Sequence, residues 1–143
     1  MAQALAHRQV DASVQIAYNK EWEVGLSTSV RIGLRALPDS VSAALFLLAD
    51  QPGITAELIN AVIHRYRQTL APIVAPRHRG RRGNPVLFDR SLFGDLMELE
   101  GDQGGRALIE KRAAEVEWVE TGPEVLADVD TPTDYERWQA KDA

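Results

Sequence analysis

Three aspartates and a cluster of arginines are the residues in this chain best suited to chemistry. Asp50 ends the run AALFLLAD and is followed at once by Gln51, Pro52 and Gly53. Asp128 and Asp130 lie two apart in VLADVDTP. In an extended chain residues two apart point to the same side. Such carboxylates are hard oxygen ligands of the kind Mg²⁺ takes, usually one or two at a time with substrate phosphates and water filling the octahedron. Each also has a plainer explanation. Asp is common at turns and strand exits, which would account for Asp50. Asp130 is well explained as part of the turn into the last helix, which leaves Asp128 as the better metal ligand of the pair.

Two further segments suit anions. Gly25-Leu26-Ser27-Thr28-Ser29 places a glycine and three hydroxyls where a helix starts. Helix N-termini carry unpaired amide groups that favour negative charge or a base edge. An ordinary N-cap explains Ser27 but not the whole cluster. Residues 77–82 carry Arg77, Arg79, Arg81 and Arg82, with His78 among them, and run into Gly83-Asn84-Pro85. Arginine forks suit phosphate oxygens, although a charge run is also what a solvated loop looks like. His7, His64 and His78 lack metal-ligand spacing, and there is no cysteine. Zinc sites of the thiolate type, HExxH proteases and a Ser-His-Asp triad are therefore not legible here.

These residues need a frame. Ala43 to Ala49 is an unbroken apolar run, read as a central strand of a parallel sheet buried on both faces, with Asp50 at its carboxyl end, the edge where open α/β sheets bind ligands. MAQALAHRQV reads as the last turns of a helix, and Ser13 to Tyr18 alternates as a strand. Ser27 is expected to cap a helix to about Leu37, and Thr55 one carrying Leu58, Val62, Ile63, Tyr66 and Leu70 on one stripe. Pro72 to Ala75 reads as a short strand, Pro76 to Gly83 as a basic loop and Asn84 to Phe88 as an extended piece. Helices follow from Asp89 or Ser91 to about Leu99 and from about Gly105 to Arg112. Glu115 to Val119 reads as a strand, and Val125 to Asp130 as a further strand or strand exit. Thr131, Pro132 and Asp134 supply an N-cap, a first-turn proline and a capping-box partner for the last helix. Strands and helices alternate, which predicts an α/β three-layer sandwich in one domain over residues 1–143.

Composition narrows the class. The chain has 143 residues, 45% of them hydrophobic, enough for a sizeable core. Its net charge of −5 argues against non-specific nucleic-acid binding. No apolar run reaches the ~20 residues of a membrane span, and the N-terminus lacks the apolar core of a signal peptide. With no cysteine, a cytoplasmic location is expected.

Taken together, LLADQP, RGRRGNPVLFDRSLF, EGDQGGRALI, LADVDTPTDY and NKEWEVGLSTSVRIGL resemble the MobA-like nucleotidyltransferases, most closely the molybdenum cofactor cytidylyltransferases. The resemblance runs in order over nearly the whole chain. It implies a nucleotide-diphospho-sugar-transferase-like, Rossmann-like sandwich with a mostly parallel sheet. It implies transfer of CMP from CTP to the molybdopterin form of the molybdenum cofactor, with release of pyrophosphate and Mg²⁺ as cofactor. On it, Asp50 and Asp128 are catalytic, and Asp50, Asp128 and Asp130 form the metal site. Gly25, Ser27 and Ser29 lie near the nucleotide, and Arg79, Arg82, Gly83, Asn84 and Pro85 near the acceptor. Implied partners are CTP in preference to GTP, a phosphorylated pterin, and a molybdoenzyme or chaperone, with no nucleic acid or membrane.

One departure bears on activity. The family opens with a strand and a glycine-rich loop, Leu-Ala-Ala-Gly-x-Ser-x-Arg-Met-Gly, then a lysine, which hold the triphosphate. This sequence carries none of them. The expectation is an N-terminally truncated chain, a fragment or a gene model begun too late, of a nucleotidyltransferase, with the activity of the chain itself left open. The missing strand would lie beside the Asp50 strand, leaving unpaired backbone and an apolar face open there. Alternatives are a non-catalytic module that binds a pterin phosphate or nucleotide, a transferase using GTP or another phosphorylated acceptor, and a structural partner docking through the open sheet edge.

Overall fold

The computed structural model describes residues 14–140. Five strands form one sheet: β1 (Ala43–Phe46), β2 (Ile73–His78), β3 (Arg81–Arg82), β4 (Val86–Asp89) and β5 (Val116–Glu120). The helices are α1 (Leu26–Arg35), α2 (Ala56–Thr69), α3 (Phe93–Met97), α4 (Gly105–Lys111) and α5 (Pro132–Gln139).

Alternation along the strands explains the two core layers. On β2, Ile73 and Ala75 face one way and Val74 the other; on β4, Val86 and Phe88 oppose Leu87. One layer joins Ile73, Ala75, Val86 and Phe88 to Val30 and Leu34 of α1, Leu96 of α3 and Leu108 and Ile109 of α4. The other joins Val74 and Leu87 to Leu58, Val62 and Tyr66 of α2 and to Val125. Each buried aliphatic or aromatic side chain contributes about 1.5–3 kcal/mol. Phe88 adds an edge-to-face contact with Phe46, ring centroids 5.5 Å apart at 84°. Helices thus cover both faces, as expected of an α/β sandwich.

Strand direction departs from expectation. Among the described residues β1 and β4, β4 and β2, and β2 and β3 pair antiparallel, and only β2 and β5 pair parallel. The sheet is mixed rather than mostly parallel, because an apolar run reports burial on two faces and says nothing of direction. Nor is β1 central: among the described residues it pairs with β4 alone. Its residues are half-buried, and Leu47 and Leu48 beyond it are 49% and 42% exposed.

Other differences are local. Residues 14–18 form no strand and are exposed, and the helix expected over residues 1–10 lies outside the described residues. The basic run is a hairpin, not a loop. β2 extends through Arg77 and His78, and Arg79 (φ 48°) and Gly80 (φ 79°) make a two-residue turn into β3. Positive φ at both central positions is the geometry that matches the twist of a tight hairpin. Residues 123–126 form a 3₁₀ turn, and 127–130 are irregular rather than strand. Gly25, not Ser27, is the N-cap of α1. Thr55 caps α2, its hydroxyl accepting from Leu58 N–H, and Thr131 and Asp134 close a reciprocal pair at α5, both as expected.

Candidate functional site

The two acidic segments meet. Asp50 follows β1 through a short exposed stretch, and the backbone N–H of Val129 donates to the Asp50 carbonyl at 2.9 Å. Asp50 and Asp128 are both exposed. Gln51, between Asp50 and Pro52, is 9% exposed, and its Nε2 donates to Asp128 Oδ1 at 2.5 Å. A backbone bond and a side-chain bond therefore tie segments 77 residues apart.

Asp130 does not complete a three-carboxylate site. Among the described residues no group of three His, Cys, Asp or Glu side chains is placed to hold a metal ion. The two-residue spacing puts side chains on one side only in a regular strand, and residues 127–130 are irregular. What remains is a pair of exposed carboxylates on adjoining segments. That donor set fits a hard cation whose other ligands are phosphate oxygens and water, and does not fit an all-protein cage.

A groove of about 720 Å³ lies against β1, its lining reaching Leu48 but not Asp50, Gln51 or Asp128. Leu47 and Leu48, three and two residues before Asp50, line it. Its floor is apolar, formed by residues such as Leu34, Phe46, Phe88 and Ile109, and its polar lining includes Ser29, Arg82, Asn84, Asp102 and Arg106. Arg82 Nη1 donates to Asn84 Oδ1 at 3.4 Å. Burial, and then the charge of Arg106, hold the Arg82 pKa below the usual arginine range, with Glu110 opposing. Arg106 is paired with Glu110 at 2.8 Å and Asp102 also lines the groove, so Arg82, half-buried beside Asn84, is the cation placed to meet an anionic ligand there.

The remaining expected site residues divide by burial. Gly25 and Ser27 are buried at the start of α1. Ser27 N–H donates to the Gly101 carbonyl at 3.0 Å, and Ser27 Oγ accepts from Arg31. A methyl on Gly25 would sit 2.3 Å from the Gly101 carbonyl carbon, so only glycine allows that approach. Ser29 is the exposed member that reaches the groove. Gly83 and Pro85 are buried, joined by Asn84 through a cis Asn84–Pro85 peptide. Gly83 packs so closely on Val125 that a Cβ would meet its carbonyl oxygen at 2.5 Å. Arg79 stands exposed at the hairpin tip, away from the groove lining. Arg77 pairs with Glu120 and lies over the Trp118 ring at 5.4 Å, while His78 Nδ1 bonds the Thr121 carbonyl.

Three contributors were not anticipated as site residues. Asn19 Nδ2 donates to Thr28 Oγ1 at 2.8 Å and Ser29 Oγ at 2.9 Å, fastening the preceding loop to α1. Arg106 lines the groove from α4. Gln51 donates to Asp128 Oδ1. Asn19, Arg106 and Gln51 lie within the motif segments, and that position was the only signal available.

An open mixed sheet covered by helices on both faces, with two joined acidic segments and an arginine-lined groove, defines a nucleotidyltransferase-like α/β fold. Residues 2–116 match the MobA-like NTP transferase domain, and the chain belongs to that family. It is similar to the purine catabolism protein PucB of Bacillus subtilis (strain 168), 30% identical over 121 residues, which is 80% of this chain and 56% of that protein. The chain thus spans little more than half the length of this relative. Among solved structures it is similar to the Rv0371c homolog of Mycobacterium sp. strain JC1, 28% identical with a TM-score of 0.73 over 98% of this chain and 69% of that one. Rv0371c of Mycobacterium tuberculosis H37Rv matches at 27% identity and a TM-score of 0.70, covering 80% and 59%. Its complex with manganese shares the fold at a TM-score of 0.77 and 24% identity, covering 95% and 71%. No described helix is long and apolar enough to cross a membrane.

Proposed function

We propose that this chain belongs to a Mg²⁺-dependent nucleotidyltransferase that moves a nucleoside monophosphate onto a phosphorylated acceptor and releases pyrophosphate. The nucleotide is CTP in preference to GTP, and the acceptor is the molybdopterin form of the molybdenum cofactor. The observation that carries the reading is the junction of the Asp50 and Asp128 segments through the Val129–Asp50 bond, in a chain of the MobA-like family. The solved manganese complex of a protein of the same fold also favours a divalent cation.

In this reading Asp50 and Asp128 hold the cation. When bound, the cation neutralises charge on the phosphates and orients them. Arg82, Asn84 and Ser29 bind and orient phosphate or base in the groove, whose apolar floor limits water. An acceptor phosphate oxygen attacks the α-phosphorus in line. The new P–O bond forms as the bond from the α-phosphorus to the bridging oxygen breaks, and pyrophosphate leaves with that electron pair. No side chain needs to form a covalent intermediate, so catalysis is positioning and electrostatics.

Calorimetric titration with CTP and GTP, each with and without Mg²⁺, tests this. Micromolar CTP binding that requires Mg²⁺ and is abolished by Asp50→Ala, with the circular dichroism spectrum unchanged, is the expected result. An absence of binding, binding indifferent to Mg²⁺, or binding retained by Asp50→Ala overturns it. Preference for GTP would overturn the assignment of the base alone.

A further inference from the structure

The residue between Asp50 and Pro52 is buried although both its neighbours are exposed. Gln51 Nε2 reaches Asp128 Oδ1 at 2.5 Å. Its Oε1 is buried and has no hydrogen-bond partner among the described residues. A carboxylate only accepts, so the donor end of the amide must be the one that faces Asp128. The other end is left as a buried, unpaired carbonyl, which costs stability. Packing alone does not account for an amide here. Leucine or methionine would fill similar volume with no orphan acceptor.

Asp128 needs such a partner. It lies in an irregular, exposed stretch, where an unrestrained carboxylate samples several rotamers and loses that freedom on binding a cation. We propose that Gln51 is a positioning residue for the cation site, its amide holding Asp128 Oδ1 so that Oδ2 remains available to a divalent cation shared with Asp50. This rests on the reading above that Asp50 and Asp128 hold the cation. Partners that orient metal-ligating carboxylates are typically worth about 10- to 100-fold in metal affinity.

The test uses the whole chain and Mn²⁺ alone, with free Mn²⁺ counted by electron paramagnetic resonance and the metal-free Tm measured by circular dichroism. Gln51→Leu and Gln51→Met are expected to bind Mn²⁺ at least about 10-fold more weakly. Their metal-free Tm should stay within a few degrees of the parent's, because removal of the orphan carbonyl offsets loss of the bond to the exposed Asp128. In an Asp128→Ala background, Gln51→Met should bring no further loss, since the effect runs through Asp128. Unchanged Mn²⁺ affinity in both Gln51 variants, while Asp50→Ala abolishes binding, overturns the role of Gln51 and leaves the cation site standing. A lowered Tm with unchanged affinity of the folded protein means that Gln51 is structural, and overturns the role too. A further loss in the Asp128→Ala background has the same consequence. If Mn²⁺ binding survives Asp50→Ala, the cation-site reading itself fails.

Discussion

Replacing Gly25 by alanine drives a methyl group into backbone that cannot move aside. Gly25 has φ 125° and ψ 173°, a region essentially restricted to glycine, and holding another residue there costs about 1–3 kcal/mol. The added Cβ would lie 2.3 Å from the Gly101 carbonyl carbon, 2.4 Å from its oxygen and 2.8 Å from Asp102 N. All three are main-chain atoms, so no rotamer change relieves the clash. Overpacking of this kind costs about 1–3 kcal/mol more. Relief by separating the two segments would sacrifice the Ser27–Gly101 hydrogen bond of 3.0 Å. The sum is about 2–6 kcal/mol, a large share of a typical domain's stability of about 5–15 kcal/mol. Gly33 provides the control. It lies inside α1, and a Cβ there meets nothing within 4 Å. Gly33→Ala should therefore gain about 0.5–1 kcal/mol of helix propensity. Urea unfolding followed by circular dichroism measures both. If Gly25→Ala lies within about 1 kcal/mol of the parent, less than the sum above allows, the close approach of α1 to the backbone of Gly101 and Asp102 is refuted.

Gly83→Ala acts on the site at a distance: its Cβ would meet the Val125 carbonyl oxygen at 2.5 Å and Val125 Cβ at 2.6 Å. The expected result is about 1–3 kcal/mol of destabilisation and weaker Mg²⁺-dependent nucleotide binding by calorimetry, because the 123–126 turn leads into Asp128. Tyr66 donates to Asp89 Oδ2 at 2.6 Å; burial, and then Asp89, push the Tyr66 hydroxyl up to about 12 from 10.0. That contribution is complete below pH 10 and is lost as pH rises from 10 toward about 12. Burial works to raise Asp89, but hydrogen bonds from Tyr66, Ser91 and the Arg90 N–H outweigh it and hold its pKa below 3.8. This second contribution is present above pH 3.8 and is lost as pH falls through the lower native value. Tyr66→Phe should cost about 1.5–3 kcal/mol near neutral pH and flatten the alkaline fall in Tm; an unchanged alkaline limb would refute the assignment.

Much of the site was legible as segments and little of it as geometry. The LLADQP and LADVDTP stretches, the glycine-serine start of α1 and the arginine-rich run stand out by residue type alone. Which members reach the groove was not legible. Ser27 and Ser29 differ by two positions, yet one is buried against Gly101 and the other is exposed. Arg77 and Arg82 belong to one basic run, yet the first is tied to Glu120 and the second lines the groove. Those outcomes depend on strands and turns far along the chain.

What the sequence by itself determined is what contacts within a few residues decide. Thr55 and Thr131 mark helix starts because their partners, Leu58 and Asp134, are three residues on. The stripe Leu58, Val62, Tyr66 recurs at helical spacing, and the apolar runs at Ala43 and Ile73 report strands, the second with both faces covered. The family resemblance belongs here too, since it rests on short ordered segments. Only the tertiary structure decided that the sheet is mixed and that β1 pairs with β4 alone among the described residues. It alone made a hairpin of the basic run, left residues 14–18 out of the sheet, and bound Gln51 to Asp128 across 77 residues. The physical reason is the same in each case: an apolar or charged pattern states what a residue must bury or expose, while strand direction and long-range pairing depend on which distant partner the folded chain supplies.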